Sequence, residues 1–374
     1  MNMIRKLGFD KKLLKNIDYS IIFSLIVIAI SGLLSIGAAT LAFNDGSMQR
    51  VIFQGLWFIV SIFLFVIIIS FDYNMIGGYY KIIYIVSNLL LVAVLLFGSV
   101  RNNAKAWLGI GPFGIQPSEF AKIAIIITIA KLLEDMEDIN TFKNLFKIAM
   151  VSLIPMALIQ LQPDTGTNLI FVMTILGMIF VAGLDLKFIY WSLFTAISSF
   201  ALIWKLNILK EYQKNRILVF LKPEMDKLGA GYNAYLAKIA IASGKFFGIG
   251  LTNSGLTDGK FIPEAPTDFI FCVFAEKFGF IGTLLLLLAY LNIILKGINI
   301  AKSSKDKFGM YLTVGILSMF IFQILQNIGM DIGLMPITGI PLPLMSYGGS
   351  SLMTTIIAIA LVINVGMRKQ KINF

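Results

Sequence analysis

Seven ionisable side chains lie in or beside strongly apolar stretches: Glu119, Lys122, Asp164, Asp268, Glu276, Lys277 and Asp331. A charge at mid-bilayer costs about 2.5–3.5 kcal/mol on insertion scales, so such residues mark sites. Glu119 and Lys122 are three apart, which on a helix puts opposite charges on one face. Four further cations, Arg50, Arg101, Lys105 and Arg216, fall between apolar segments or at their edges. The chain has no histidine and one cysteine, Cys272. That excludes imidazole metal sites, Ser–His and Cys–His nucleophile pairs and an intramolecular disulfide. Acid–base chemistry therefore rests on carboxylates, lysine, tyrosine or water. A carboxylate base among several cations is suited to removing a proton while negative charge is steadied nearby.

The elements that must position these groups are membrane helices. Of 374 residues, 58% are hydrophobic and 14% charged, against about 45–50% and 25% in soluble domains. A soluble enzyme, a disordered chain and a coiled coil are excluded. Runs such as Ile21–Leu33 do not alternate as a membrane β-barrel would. Ten segments approach or reach the roughly 20 residues that cross a bilayer: 18–42, 51–70, 79–98, 117–133, 145–161, 166–182, 187–206, 268–293, 308–330 and 349–367. The first is preceded by basic residues but is too long for a signal-peptide core, so it reads as a retained span. Basic residues gather before the first span, after the eighth and after the tenth; the short loops on the other side carry Arg50, Arg101 and Lys105. The positive-inside rule then places both termini in the cytoplasm. The same rule accounts for the net charge of +11 without a nucleic-acid partner.

The expected fold is one all-α polytopic domain over 1–374, with ten spans. A long extracytoplasmic loop, 205–266, joins spans seven and eight. Within it, 232–241 reads as a helix along the interface. Glu119, Lys122, Asp164, Asp268 and Asp331 share the outer third of the bundle, with the loop cations beside them. Glu276 lies roughly 12 Å deeper if the eighth span is one straight helix. The Ser243–Gly250 stretch lacks phosphate-loop spacing and reads as a tight turn or close packing.

Four motifs carry a resemblance. They are Gln116-Pro117-Ser118-Glu119 with Lys122, Gln162-Pro163-Asp164 with Gly166-Thr167, Phe261 to Phe271 (FIPEAPTDFIF), and Asn327-Ile328-Gly329-Met330 with Gly339 to Ser351. In this order they resemble the SEDS proteins (shape, elongation, division and sporulation) across the whole chain. Gly339-Ile340-Pro341-Leu342-Pro343 resembles the RodA branch more than the FtsW branch. The resemblance implies a bacterial cytoplasmic-membrane glycosyltransferase that polymerises lipid II into the nascent glycan strand of peptidoglycan. It implies a class B penicillin-binding protein and other elongation-complex membrane proteins as partners. Asp268 matches the family's essential aspartate; Glu119, Lys122, Asp164 and Arg50 match its other functional positions. The family often has arginine before the tryptophan; here Ala106 stands there, with Lys105 beside it.

The expected mechanism makes Asp268 the base for the acceptor 4-hydroxyl. Undecaprenyl diphosphate leaves with inversion, steadied by Lys122, Arg50, Arg101 and Lys105 or Arg216. Glu119 positions Lys122, and Asp164 holds a loop or a cation. A divalent cation, magnesium or manganese, suits carboxylates, though no clear ligand set is visible. Two other readings stay open: a flippase for lipid-linked sugars and a non-enzymatic scaffold for a penicillin-binding protein.

Overall fold

The computed structural model describes residues 15–41, 47–101, 104–109, 114–206, 214, 218, 230–251, 253, 255–258, 261–262 and 264–368. The chain is mostly helical. In order come α1 (Tyr19–Leu41), α2 (Ser47–Ser70), the short α3 (Tyr73–Gly78), α4 (Tyr80–Phe97), β1 (Ser99–Arg101) and β2 (Ala104–Trp107). Then follow α5 (Pro117–Glu134), α6 (Phe142–Leu161), α7 (Thr165–Val181), α8 (Leu186–Lys205), α9 (Ala230–Ser243), α10 (Ile270–Lys302), α11 (Lys307–Asp331) and α12 (Gly349–Met367). Each of the ten apolar segments falls on helix, the eighth on one that is interrupted at Gly279. Seven helices among the described residues, α1, α2, α4, α6, α10, α11 and α12, are long and apolar enough to cross a membrane; α7 is a shorter apolar helix.

Burial sorts the helices into layers. Helix α5 carries Glu119, Lys122, Lys131 and Glu134, yet nearly its whole length is buried. Helices α11 and α12 are also mostly buried. These three form the centre. Around them, α1 exposes Tyr19, Phe23, Ile26, Ile30 and Leu34, a stripe three to four residues apart. Such a stripe is the lipid-facing side of a helix whose other side packs inward. Helices α2, α4 and α6 expose comparable apolar stripes.

Two features depart from the all-helical expectation of straight spans. First, β1 and β2 form a small antiparallel hairpin, with Val100 opposite Lys105 and Arg101 opposite Ala104. Second, α10 is broken at Gly279, whose φ of 66° and ψ of −164° are not helical. Every residue from Ile270 to Lys277 is buried. Lipid-type exposure begins only after the break, at Phe280, Ile281, Leu284, Leu285 and Leu288. The part from Phe280 to Lys302 is about 34 Å long at 1.5 Å per residue, enough to span by itself.

Glu276, three residues before the break, is held by a loop. Its carboxylate accepts bonds from the amides of Leu256 (2.8 Å) and Thr257 (3.1 Å), the Thr257 hydroxyl and Ser243 Oγ (3.2 Å). Lys277 Nζ donates to the Asn253 carbonyl at 2.8 Å. The pair is the anchor of a loop. That loop explains the glycine-rich stretch. A Cβ on Gly248 would lie 2.1 Å from the Lys277 carbonyl, so only glycine permits the approach. Helix α9 forms where a surface helix is expected, but Leu236, Ala237 and Ala240 pack with Ala38, Cys272, Val273 and Met330 in a second apolar cluster. One face is therefore docked on protein while Tyr232 and Tyr235 stay exposed.

Candidate active site

One end of the bundle is the place where α5, α7, α10 and α12 begin and α11 ends. Sequence dictates those starts. Pro117 occupies the first turn of α5, where its missing N–H costs nothing. Asp164 caps α7 by accepting from Thr167 N at 3.0 Å and Thr167 Oγ1 at 2.7 Å. Gly348 precedes α12, whose first turn, Gly349-Ser350-Ser351, has no side-chain cap. Its amides are among those a helix leaves unsatisfied at its start.

Between these starts lies a cavity of about 440 Å³. Its walls come from all four motifs: Gln116 and Glu119; Pro163 to Thr167; Glu264, Thr267 and Asp268; Thr338 to Pro341 and Tyr347 to Ser351. Trp57 and Trp107 also line it. The motifs are also bonded to each other. Gln116 Nε2 donates to Asp164 Oδ2 (3.2 Å), and the Gln116 amide donates to Ser350 Oγ (2.9 Å). Ser346 Oγ donates to the Thr267 carbonyl (2.6 Å), and the Tyr347 amide donates to the Pro266 carbonyl (2.9 Å). Buried Gln54 of α2 donates to the Ser346 carbonyl and accepts from the Gly348 amide, both at 3.2 Å.

Asp268 is half-buried at this wall. Asn327 of α11, fully buried, donates to the Asp268 carbonyl (2.7 Å) and to the Ile340 carbonyl (2.8 Å). Gly339 has φ +71°, and a Cβ there would stand 3.2 Å from Asp268 Oδ2. A bare backbone is what lets this loop close over the carboxylate.

A family of cell cycle proteins named for FtsW, RodA and SpoVE matches residues 16–371. The chain belongs to the FtsW/RodA/SpoVE family. A peptidoglycan glycosyltransferase RodA from Treponema pallidum is 31% identical, over 94% of this chain and 98% of that one. Stage V sporulation protein E from Bacillus subtilis is 38% identical, over 85% and 86%. A chain solved in a peptidoglycan synthase complex that coordinates polymerization and crosslinking superimposes with a TM-score of 0.82 at 30% identity, over 94% and 98%.

Among the residues singled out from sequence, this member of the FtsW/RodA/SpoVE family brings Asp268, Glu119 and Asp164 together on the cavity. Lys122 is bonded to Glu119 Oε1 at 2.8 Å, and the two are 2% and 4% exposed. Glu119 lines the cavity and Lys122 stands behind it. Lys105 is turned elsewhere: its ammonium donates to the carbonyls of Leu95 (2.8 Å) and Leu96 (3.1 Å). These carbonyls belong to the last turn of α4, where a cation meets the negative end of the helix dipole. Lys105 is thus a helix cap that ties the β-hairpin to α4. Arg50 is exposed in the first turn of α2 and is not on the cavity wall. Arg101 ends β1, and its side chain lies outside the described residues, as does Arg216.

Glu264 was not singled out, because it precedes the span, yet it lines the cavity and accepts from Thr267 Oγ1 at 2.9 Å. Its place four residues before Asp268 in the same motif was the available signal. Among the described residues no three carboxylates, cysteines or histidines converge as a metal-ligand set.

Proposed function

We propose that this chain is a peptidoglycan glycosyltransferase of cell elongation that polymerises lipid II at the outer face of the bacterial cytoplasmic membrane. The observation that carries the reading is Asp268, held by Asn327 at the wall of a cavity that all four motifs build. The RodA relative and the Gly339-to-Pro343 sequence support the elongation role. The chain crosses the membrane ten times with both termini inside, and 205–266 lies outside. Three helices join the seven to make ten: α5 is charged and α7 is short, yet both lie within the bundle, and α8 runs for 20 residues.

Asp268 accepts the proton of the 4-hydroxyl of the acceptor's N-acetylglucosamine. That oxygen forms a bond to the anomeric carbon of the donor's N-acetylmuramic acid from the face opposite the leaving group. The bond from that carbon to the diphosphate oxygen breaks, giving inversion and free undecaprenyl diphosphate. A diphosphate leaves without protonation, so one base suffices where glycosidic hydrolysis uses two carboxylates. The departing charge is met by the positive ends of the helices that begin at the cavity, above all the uncapped first turn of α12. Arg50 at the start of α2 adds long-range attraction at the rim. Carboxylates beside the base, Glu119, Asp164 and Glu264, accept hydrogen bonds from sugar hydroxyls or from the site's own loops. Trp57, Trp107 and Tyr347 supply apolar faces for the pyranose rings. A class B penicillin-binding protein receives the strand, in keeping with the polymerising and crosslinking complex to which the solved relative belongs.

The test uses purified protein in liposomes with lipid II, with moenomycin and penicillin silencing other polymerases, and a cognate partner supplied. Glycan ladders should form with wild type, and folded Asp268→Asn should lose about 10²–10⁴-fold in rate, the range of general-base catalysis. Normal ladders from Asp268→Asn would remove it from the role of base.

A further inference from the structure

Helix α11 grips the chain entering α10 at two points. Asn327 donates to the Asp268 carbonyl, and Asp331 Oδ2 accepts from the Cys272 amide at 3.1 Å. The residues are four apart on both partners, so the two bonds are successive rungs of one ladder. Both α11 side chains are fully buried. Both also end in an acceptor with no partner, Asn327 Oδ1 and Asp331 Oδ1. The orientation of the Asn327 amide is settled by its surroundings: its two hydrogens face two carbonyls, so its oxygen points away from them.

Two orphan acceptors on one helix face, four residues apart, are within reach of each other. Side chains on a helix lean back toward its N-terminus, so Asp331 leans over the turn that holds Asn327. One proton satisfies both. An ionised Asp331 would instead set a buried charge beside a lone pair, with no ion pair to it among the described residues, which is costly. Resting on Asp268 as base, we propose that Asp331 carries a proton and donates it to Asn327 Oδ1, making Asp331 a positioning residue that holds Asn327, and through it Asp268, in place. Titratable or charged groups around it are Asp268 on the preceding loop, Cys272 and Glu276 on α10, and Lys238 of α9, which lies against Gly333. None of them gives Asp331 a salt bridge.

The experiment compares full-length wild type with Asp331→Asn and Asp331→Ala in liposomes. An asparagine keeps both bonds, its oxygen accepting from Cys272 and its NH₂ donating to Asn327. Asp331→Asn should therefore polymerise within about twofold of wild type. Asp331→Ala should lose about 10- to 100-fold in kcat, as supporting residues do, with KM for lipid II unchanged. Infrared difference spectra of wild type against Asp331→Asn should show one protonated carboxylic-acid carbonyl band that is lost in the variant and shifts in D₂O. Absence of that band, an Asp331→Asn as impaired as Asp331→Ala, or a fully active Asp331→Ala would each overturn the proposal. Should Asp331→Ala fail to fold, the band and Asp331→Asn still decide. Normal ladders from Asp268→Asn would sink the catalytic reading while leaving the band in place, so the two failures are distinguishable.

Discussion

Gly339→Ala tests whether the loop over Asp268 sets catalysis or merely fills space. Two costs can be separated. The position has φ +71°, and an L-residue in the left-handed region costs about 1–2 kcal/mol. The new Cβ would lie 3.2 Å from Asp268 Oδ2, closer than ordinary contact, so the carboxyl must give by a few tenths of an ångström. On a scale where a 1 Å misplacement costs about 10²-fold, a shift of roughly 0.3–0.5 Å costs about 4- to 10-fold. Gly183→Ala supplies the control: its φ is +94°, and a Cβ there meets nothing within 4 Å. Both variants should lose similar thermal stability in detergent. Only Gly339→Ala should slow the appearance of glycan ladders. Equal ladder rates in the two variants would refute the argument that this backbone approach sets the aspartate.

Lys105→Ala should lower stability by about 0.3–1 kcal/mol, the worth of a cation at a helix C-terminus, and leave KM for lipid II unchanged; a tenfold rise in KM would return Lys105 to the substrate. Gln54→Leu removes two buried bonds and leaves a carbonyl and an amide unpaired, so it should cost about 1–3 kcal/mol and slow polymerisation, read by thermal melting and ladder assay. At the opposite end of the bundle, burial would raise the Asp306 carboxyl, but bonds from Tyr73 (2.6 Å), the Gly309 amide (2.7 Å) and Asn74 outweigh it and hold it below its ordinary value. A lowered carboxylate stabilises above the unfolded pKa and loses that contribution as pH falls through the folded one. Melting temperature followed from pH 6 downward should therefore drop less steeply in Asp306→Asn than in wild type, and parallel curves would refute this.

The helical architecture was legible because apolar length is a direct signal: seven helices among the described residues are long and apolar enough to cross a membrane. The gathering of Glu119, Asp164 and Asp268 was legible too, since buried charge is expensive and each stood beside a Pro or Gly helix start. What the sequence hid were features decided by backbone direction. The break in α10 was hidden, because nothing in Phe278-Gly279-Phe280 reveals a positive φ until the loop packed on it demands one. Lys105 looked like one more cation on the rim; only the hairpin register turns it onto the last carbonyls of α4. Glu264 was passed over because it lies outside the apolar run, although the turn at Glu264–Phe269 brings it back to Asp268. From sequence α9 reads as a helix along the interface, since Leu236 and Ala240 do not tell which apolar surface will receive them.

The interruption at Gly279 also governs how this region opens. Four backbone bonds cross it: Ile249 and Gly250 donate to the Glu276 and Lys277 carbonyls, and Phe280 and Ile281 donate to the Lys245 and Phe246 carbonyls. Peeling the loop away would strand these groups at the edge of an apolar slab, where unpaired peptides are hard to bear. The loop and the turns of α10 beside Gly279 are therefore expected to exchange and unfold as one cooperative unit. A segment that looks like a surface connection should then show the slow amide exchange expected of an interior.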